Sequence, residues 1–82
     1  MPGQLELRTE PSGPRHYLNG KPVRAGQGLF LLLAPDVWVP GRYEWTFRRK
    51  DRPRLYLELG GHAGQEVELR LPEEALLRWP GE

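Results

Sequence analysis

The sequence predicts an all-β fold: a small SH3-like barrel, or a strongly curled antiparallel meander of five to six strands, with a short C-terminal helix. Three observations carry that expectation. Apolar and polar residues alternate with period two between Arg42 and Leu71. Ten Gly and nine Pro punctuate the chain at intervals of several residues, and Asn19-Gly20 stands between two apolar positions. A length of 82 residues allows one small domain, residues 1–82, near the lower size at which a single core sustains a fold.

The first strand is expected over Gln4 to Thr9, where Leu5 and Leu7 alternate with Glu6 and Arg8. Pro11-Ser12-Gly13-Pro14 breaks it, because the two prolines lack donors and Gly13 tolerates a positive φ. In His16 to Val23, Asn19-Gly20 reads as the type I′ turn of a hairpin, since both residues accept φ > 0. Arg24 to Gly28 reads as a further turn. The continuous run Leu29 to Leu33, bounded by Gly28 and by Pro35-Asp36, is too short for a typical helix and reads as a buried strand.

The second half has the strictest pattern. Tyr43, Trp45 and Phe47 alternate with polar residues, as do Leu55, Leu57 and Leu59, and then Val67, Leu69 and Leu71. Antiparallel pairing of these strands is expected to set Trp45 opposite Leu57 and Leu57 opposite Leu69, with nine side chains on one apolar face. In Leu71 to Pro80, Pro72 near the first position, Glu73 and Glu74 in the first turn and Arg78 in the last predict a short helix that Pro80 ends. Its Leu76, Leu77 and Trp79 would plug one end of the barrel.

Composition narrows the function. No cysteine is present, which excludes disulfides, thiolate metal sites and cysteine nucleophiles. Twelve basic and eleven acidic residues give a net charge of +1, which argues against wholesale binding to nucleic acid or to an anionic membrane. No apolar run approaches the roughly 18 to 20 residues of a spanning helix, and Met1 to Glu10 lacks signal-peptide character, so a soluble cytoplasmic protein is expected. Ten of the twelve cations are Arg, Ile is absent and Asn occurs once, which suits a GC-rich genome and a thermophilic bacterium.

The order Gly26, Leu29 to Leu33, Trp38-Val39-Pro40-Gly41-Arg42-Tyr43-Glu44 and then Tyr56-Leu57 resembles a family of short bacterial and phage proteins known only as a domain of unknown function. In that family a Gly-led strand precedes a Trp-x-x-x-Arg-apolar-Glu segment and a strand carrying a Tyr. The resemblance spans Tyr17 to Leu71 and implies a small β fold without implying an activity. The basic loop and the segment Pro72 to Trp79 depart from the pattern.

Two surfaces are candidates for contact. The first is the expected hairpin tip Arg48, Arg49, Lys50, Asp51, Arg52, Pro53 and Arg54, with five cations in seven residues and Tyr56 beside it as a stacking platform. Such a tip suits phosphate contact and base stacking, although charged tips also serve solubility alone. The second is Trp38, which points outward if Val37 and Val39 point inward and which, beside Arg42 and Tyr17, would form an aromatic groove for a peptide. Packing of Trp38 over the barrel end against Leu76 or Trp79 is the competing expectation. Pro40-Gly41 marks a bend, bulge or edge in that strand.

The remaining constellations nominate no chemistry. The expected register aligns Glu44, Glu58 and Glu68 in one outward row that could hold a hard divalent ion, but Arg42 and Arg70 lie within reach to neutralise it. His16 and His62 have no second ligand at metal spacing, and Ser12, Thr9 and Thr46 stand in no nucleophile context. Gly60-Gly61-x-x-Gly64 lacks the helix and the Lys-Ser/Thr pair of a phosphate loop. No catalytic residue, metal or cofactor is therefore assigned. The expected function is a non-catalytic interaction or regulatory module with a protein partner. The alternatives are a weak nucleic-acid binder using residues 48–54, and a subunit that forms a homodimer through an open strand edge such as Gln4 to Thr9.

Overall fold

The computed structural model describes residues 1–58 and 65–81. The described residues are all-β, with no helix, in two antiparallel sheets. Strands β1 (Glu6–Glu10), β2 (Gly13–Leu18) and β3 (Lys21–Pro22) form one sheet in the order β1-β2-β3. Strands β4 (Gly28–Ala34), β5 (Val37–Glu44), β6 (Arg54–Glu58), β7 (Glu66–Arg70) and β8 (Leu77–Arg78) form the other in the order β7-β6-β5-β4-β8.

The expected barrel does not close. Each sheet ends at its own outer strands, and no strand ladder joins the two among the described residues. They meet instead through side chains: Leu18 of β2 and Val23, just past β3, pack with Leu29, Leu31, Tyr43, Leu55, Leu71 and Leu77. The trailing hydrogen bond from the Trp79 indole N–H to the Leu18 carbonyl, 2.9 Å, spans the same gap.

Nor does the C-terminal helix form. Pro72 to Ala75 makes one turn, with the Ala75 N–H on the Pro72 carbonyl at 3.2 Å, and the chain then enters β8. A two-turn helix is marginal by itself, and here Leu77 is claimed from both sides. It pairs with Leu31 of β4, and its backbone exchanges two 2.8 Å hydrogen bonds with Gly3. Tertiary pairing overrides the helical punctuation.

The hairpin turn is as the dipeptide requires. Asn19 (φ 51°) and Gly20 (φ 83°) both take positive φ between Leu18 and Lys21, which pair. The first strand starts and ends slightly later than expected, at Glu6–Glu10.

The meander keeps its faces but not its register. Tyr43 pairs with Leu55, and Leu57 with Val67, so the ladders are slipped by four and two positions from the expected Trp45–Leu57 and Leu57–Leu69 pairs. Even slips preserve the alternation of faces. The larger slip arises because β5 stops at Glu44. Phe47 turns to φ 63°, and the Trp45 indole N–H donates to the Asp51 carbonyl at 2.8 Å, so the connection to β6 begins at Trp45. Tyr43, Trp45, Leu55 and Leu71 are buried, Leu57 and Leu69 half-buried, and Phe47 and Val67 exposed. Leu59 lies outside the described residues.

The irregularity expected at Pro40-Gly41 falls elsewhere, as a bulge between Leu32 and Ala34 of β4. Gly41 is needed for closeness. A Cβ there would come within 2.5 Å of Leu55 Cγ and 2.8 Å of Leu57 Cδ2.

Candidate functional site: the outer face of the large sheet

Alternation fixes which residues of the large sheet face outward. Leu29, Leu31, Tyr43 and Leu55 point into the core, so Phe30, Leu32, Trp38, Pro40, Arg42, Glu44, Arg54 and Tyr56 lie on the outer face. The register splits that face in two. On β6–β7 and the end of β5 it is a charged ladder; on β8, β4 and the start of β5 it is apolar and aromatic.

At the centre of the apolar half lies Arg78. It pairs with Phe30 across β4–β8, and its guanidinium carbon is 5.0 Å from the Phe30 ring centroid and 4.8 Å from that of Trp38. Leu32 pairs with Trp38, and the Leu32 N–H donates to the Leu76 carbonyl at 2.9 Å. Leu76, opposite Leu32, adds an apolar side chain to this face and is 37% exposed. Trp38 thus points outward as one sequence expectation held, and it is Arg78, not Leu76 or Trp79, whose charge sits over its ring.

The rest of the expected aromatic groove is dispersed. Tyr17 alternates with inward His16 and Leu18, which places it on the outside of the other sheet; Arg8 stacks on its ring at 4.3 Å, and its hydroxyl donates to Glu10. Arg42 belongs to the charged ladder. Its guanidinium donates to Glu44 at 2.9 Å and to both oxygens of Glu66 at 2.8 and 3.3 Å, and it lies 5.1 Å from the Tyr56 ring centroid.

A cleft of about 510 Å³ adjoins the patch, lined in part by Leu33, Val39, Pro40, Leu57 and Glu58. It exists because the β5–β6 ladder ends at Arg42–Tyr56. One step further the register would set Pro40 against Glu58, and Pro40 has no N–H to give.

Three of the five cations of the basic segment are held by the protein's own groups. Arg52 Nε donates to the Leu71 carbonyl at 3.0 Å, Arg54 is ion-paired with Glu68, and Arg49 donates to the Thr9 hydroxyl. Arg48 and Lys50 are exposed and make no side-chain hydrogen bond or ion pair among the described residues. The loop is ordered by its one acid: the Thr46 hydroxyl donates to the Asp51 carboxylate at 2.7 Å, and the Asp51 N–H to the Arg48 carbonyl at 3.0 Å. Tyr56, the expected stacking platform, is covered by Arg42.

The expected glutamate row is also broken. Glu44 pairs across strands with Arg54, Glu68 with Tyr56, and Glu58 with Glu66. Among the described residues no group of three or more acidic or histidine side chains is arranged to hold a metal ion. His62 and the Gly60 to Gly64 loop lie outside the described residues.

His16, unassigned in the sequence, is buried between the sheets. Its Nδ1 is 2.8 Å from the Tyr43 hydroxyl, and its ring centroid is 4.2 Å from that of Trp45. Burial, reinforced by the positive field of Arg52, lowers its pKa from 6.5 to about 4. Burial likewise raises the Tyr43 phenol well above its usual range. The pair is neutral near pH 7, enclosed and structural. What sequence reasoning missed in the candidate site is Arg78, because its place over Phe30 and Trp38 depends on a two-residue strand read as helix. Comparison with family models, with curated proteins and with solved structures finds no match for this chain.

Proposed function

We propose that this chain is a non-catalytic interaction module that docks a protein partner through the outer face of β8, β4 and the start of β5. The observation that carries the reading is Arg78 lying over both Phe30 and Trp38 with exposed Leu76 on the same face. Trp and Arg are enriched where interfaces concentrate their binding energy, and a central aromatic–cation group with an apolar surround has that composition. The adjoining cleft gives an entering side chain somewhere to go. The guanidinium is already stacked and flanked, so a partner meets a preorganised surface.

The nucleic-acid alternative rests on residues 48–54, of which three of the five cations are bound to the protein's own groups. Affinity capture from lysate, with and without nuclease, separates the readings. Wild-type protein should retain one nuclease-resistant partner that Arg78→Ala and Trp38→Ala lose and that Arg48→Glu/Lys50→Glu keeps. Loss only in the latter variant, or only after nuclease, contradicts the proposal.

A further inference from the structure

The edge of the large sheet opposite the apolar patch is strand β7, and its backbone directions follow from the hydrogen bonds of the strands beside it. The Leu32 N–H faces β8, and Tyr43 exchanges hydrogen bonds with Gln27 and Gly26, so the odd residues of β5 face β4 and its even residues face β6. Tyr56 therefore faces β5, Leu55 and Leu57 face β7, and their partners Leu69 and Val67 face back. That leaves the N–H and C=O groups of Glu66, Glu68 and Arg70 directed outward, with no strand beyond them among the described residues.

We propose that two copies of this chain pair antiparallel along β7, centred on Glu68, so that two five-stranded sheets become one of ten. The strand has no Pro, Gly or bulge, so its outward backbone groups are continuous, and its three charged side chains restrict which partner and register can pair there. Its charges also select a register. Arg70 sits directly opposite Arg54, and Arg54 is tied to Glu68, so Arg70 has no ion-pair partner among the described residues. Centring on Glu68 places each Arg70 opposite the partner's Glu66, twice per dimer, where it joins Arg42 of that chain on the carboxylate; the single Glu68–Glu68 contact at the axis is offset by Arg54 of each chain. On the inner face Val67, 40% exposed, and the half-buried Leu69 meet the partner's Leu69 and the partner's Val67.

Neighbouring registers are worse. Centring on Val67 opposes Glu66 to Glu68 twice, and centring on Leu69 sets Pro72, which has no donor, against Glu66. The edge expected from the sequence, on β1, is a poorer candidate. Arg8 is bonded to Glu6 and Arg15 to Glu10, and Arg49 leans on Thr9. Pairing on β7 leaves both Trp38 faces free, at the two far ends of the joined sheet.

Light scattering across a concentration series tests this. Wild-type protein should show twice the monomer mass. Arg70→Glu and Glu66→Arg, each alone, oppose like charges at both contacts and should run as monomers; mixed in equal amounts they should recover the dimer, because every side chain at 66 then faces an opposite charge at 70. Glu68→Pro removes an outward donor and the Arg54 ion pair while leaving the backbone hydrogen bonds of the β6–β7 ladder in place, and should also be monomeric. A wild-type monomer at millimolar concentration overturns the proposal. So does a dimer indifferent to all three variants, or a mixture that stays monomeric.

Discussion

His16 Nδ1 and the Tyr43 hydroxyl, 2.8 Å apart and both buried, join the small sheet to the large one by a polar contact set among apolar side chains. Removing the hydroxyl leaves an imidazole nitrogen facing no partner. Tyr43→Phe should cost about 1 to 3 kcal/mol in urea unfolding. An unchanged midpoint would mean that the contact contributes nothing.

The same pair gives a pH dependence of definite sign. His16 titrates near 4 in the folded protein against 6.5 when unfolded, so between these values the unfolded chain binds the extra proton. Its contribution is complete above pH 6.5 and is lost as pH falls toward 4, with a slope approaching 1.4 kcal/mol per unit and a total of about 3 kcal/mol. Urea unfolding at pH 7, 6 and 5 should show this decline, and His16→Phe should flatten it. Equal slopes in the two proteins would place the titration elsewhere.

Gly41 should tolerate no side chain. The Cβ of Gly41→Ala would press on Leu55, which is fully buried, and on Leu57, at distances side chains do not adopt. Overpacking of this kind costs about 1 to 3 kcal/mol, which thermal unfolding would register. A neutral substitution would mean that β5 and β6 can separate freely at their junction.

The basic segment should not behave as a phosphate-binding surface. With Arg49, Arg52 and Arg54 engaged internally, retention on heparin or DNA should be weak, and Arg48→Glu/Lys50→Glu should change little at 0.15 M salt. Tight retention with a steep salt slope that these substitutions flatten would restore the nucleic-acid reading.

Much of the fold was legible because it is written in short-range rules. Asn19-Gly20 determines its turn through backbone sterics, and alternation in β5 to β7 selects the inward face whatever the register. What could not be read depends on distant partners. The helix signature of Pro72, Glu73, Glu74 and Arg78 is a local preference, and it loses to hydrogen bonds from Gly3 and β4 that lie far away along the chain. The register slipped because Trp45 turns to bond Asp51 where alternation suggested continued strand. The candidate site follows the same division. Outward Trp38 was visible in the pattern, whereas Arg78 over its ring requires β8. The cations of residues 48–54 looked like one surface because sequence shows proximity along the chain and not the carbonyls, hydroxyls and carboxylates waiting opposite.

The reading of the outer face is tested most directly by crosslinking in the native cell. A photoreactive residue at Leu33, in the cleft that adjoins the Phe30–Trp38–Arg78 patch, should capture one protein, and Arg78→Ala in the same chain should abolish that product. The same probe at Lys21, on the other sheet, should capture nothing specific. Capture from Lys21 or from Lys50 with none from Leu33, or a Leu33 adduct indifferent to Arg78→Ala, would contradict the account.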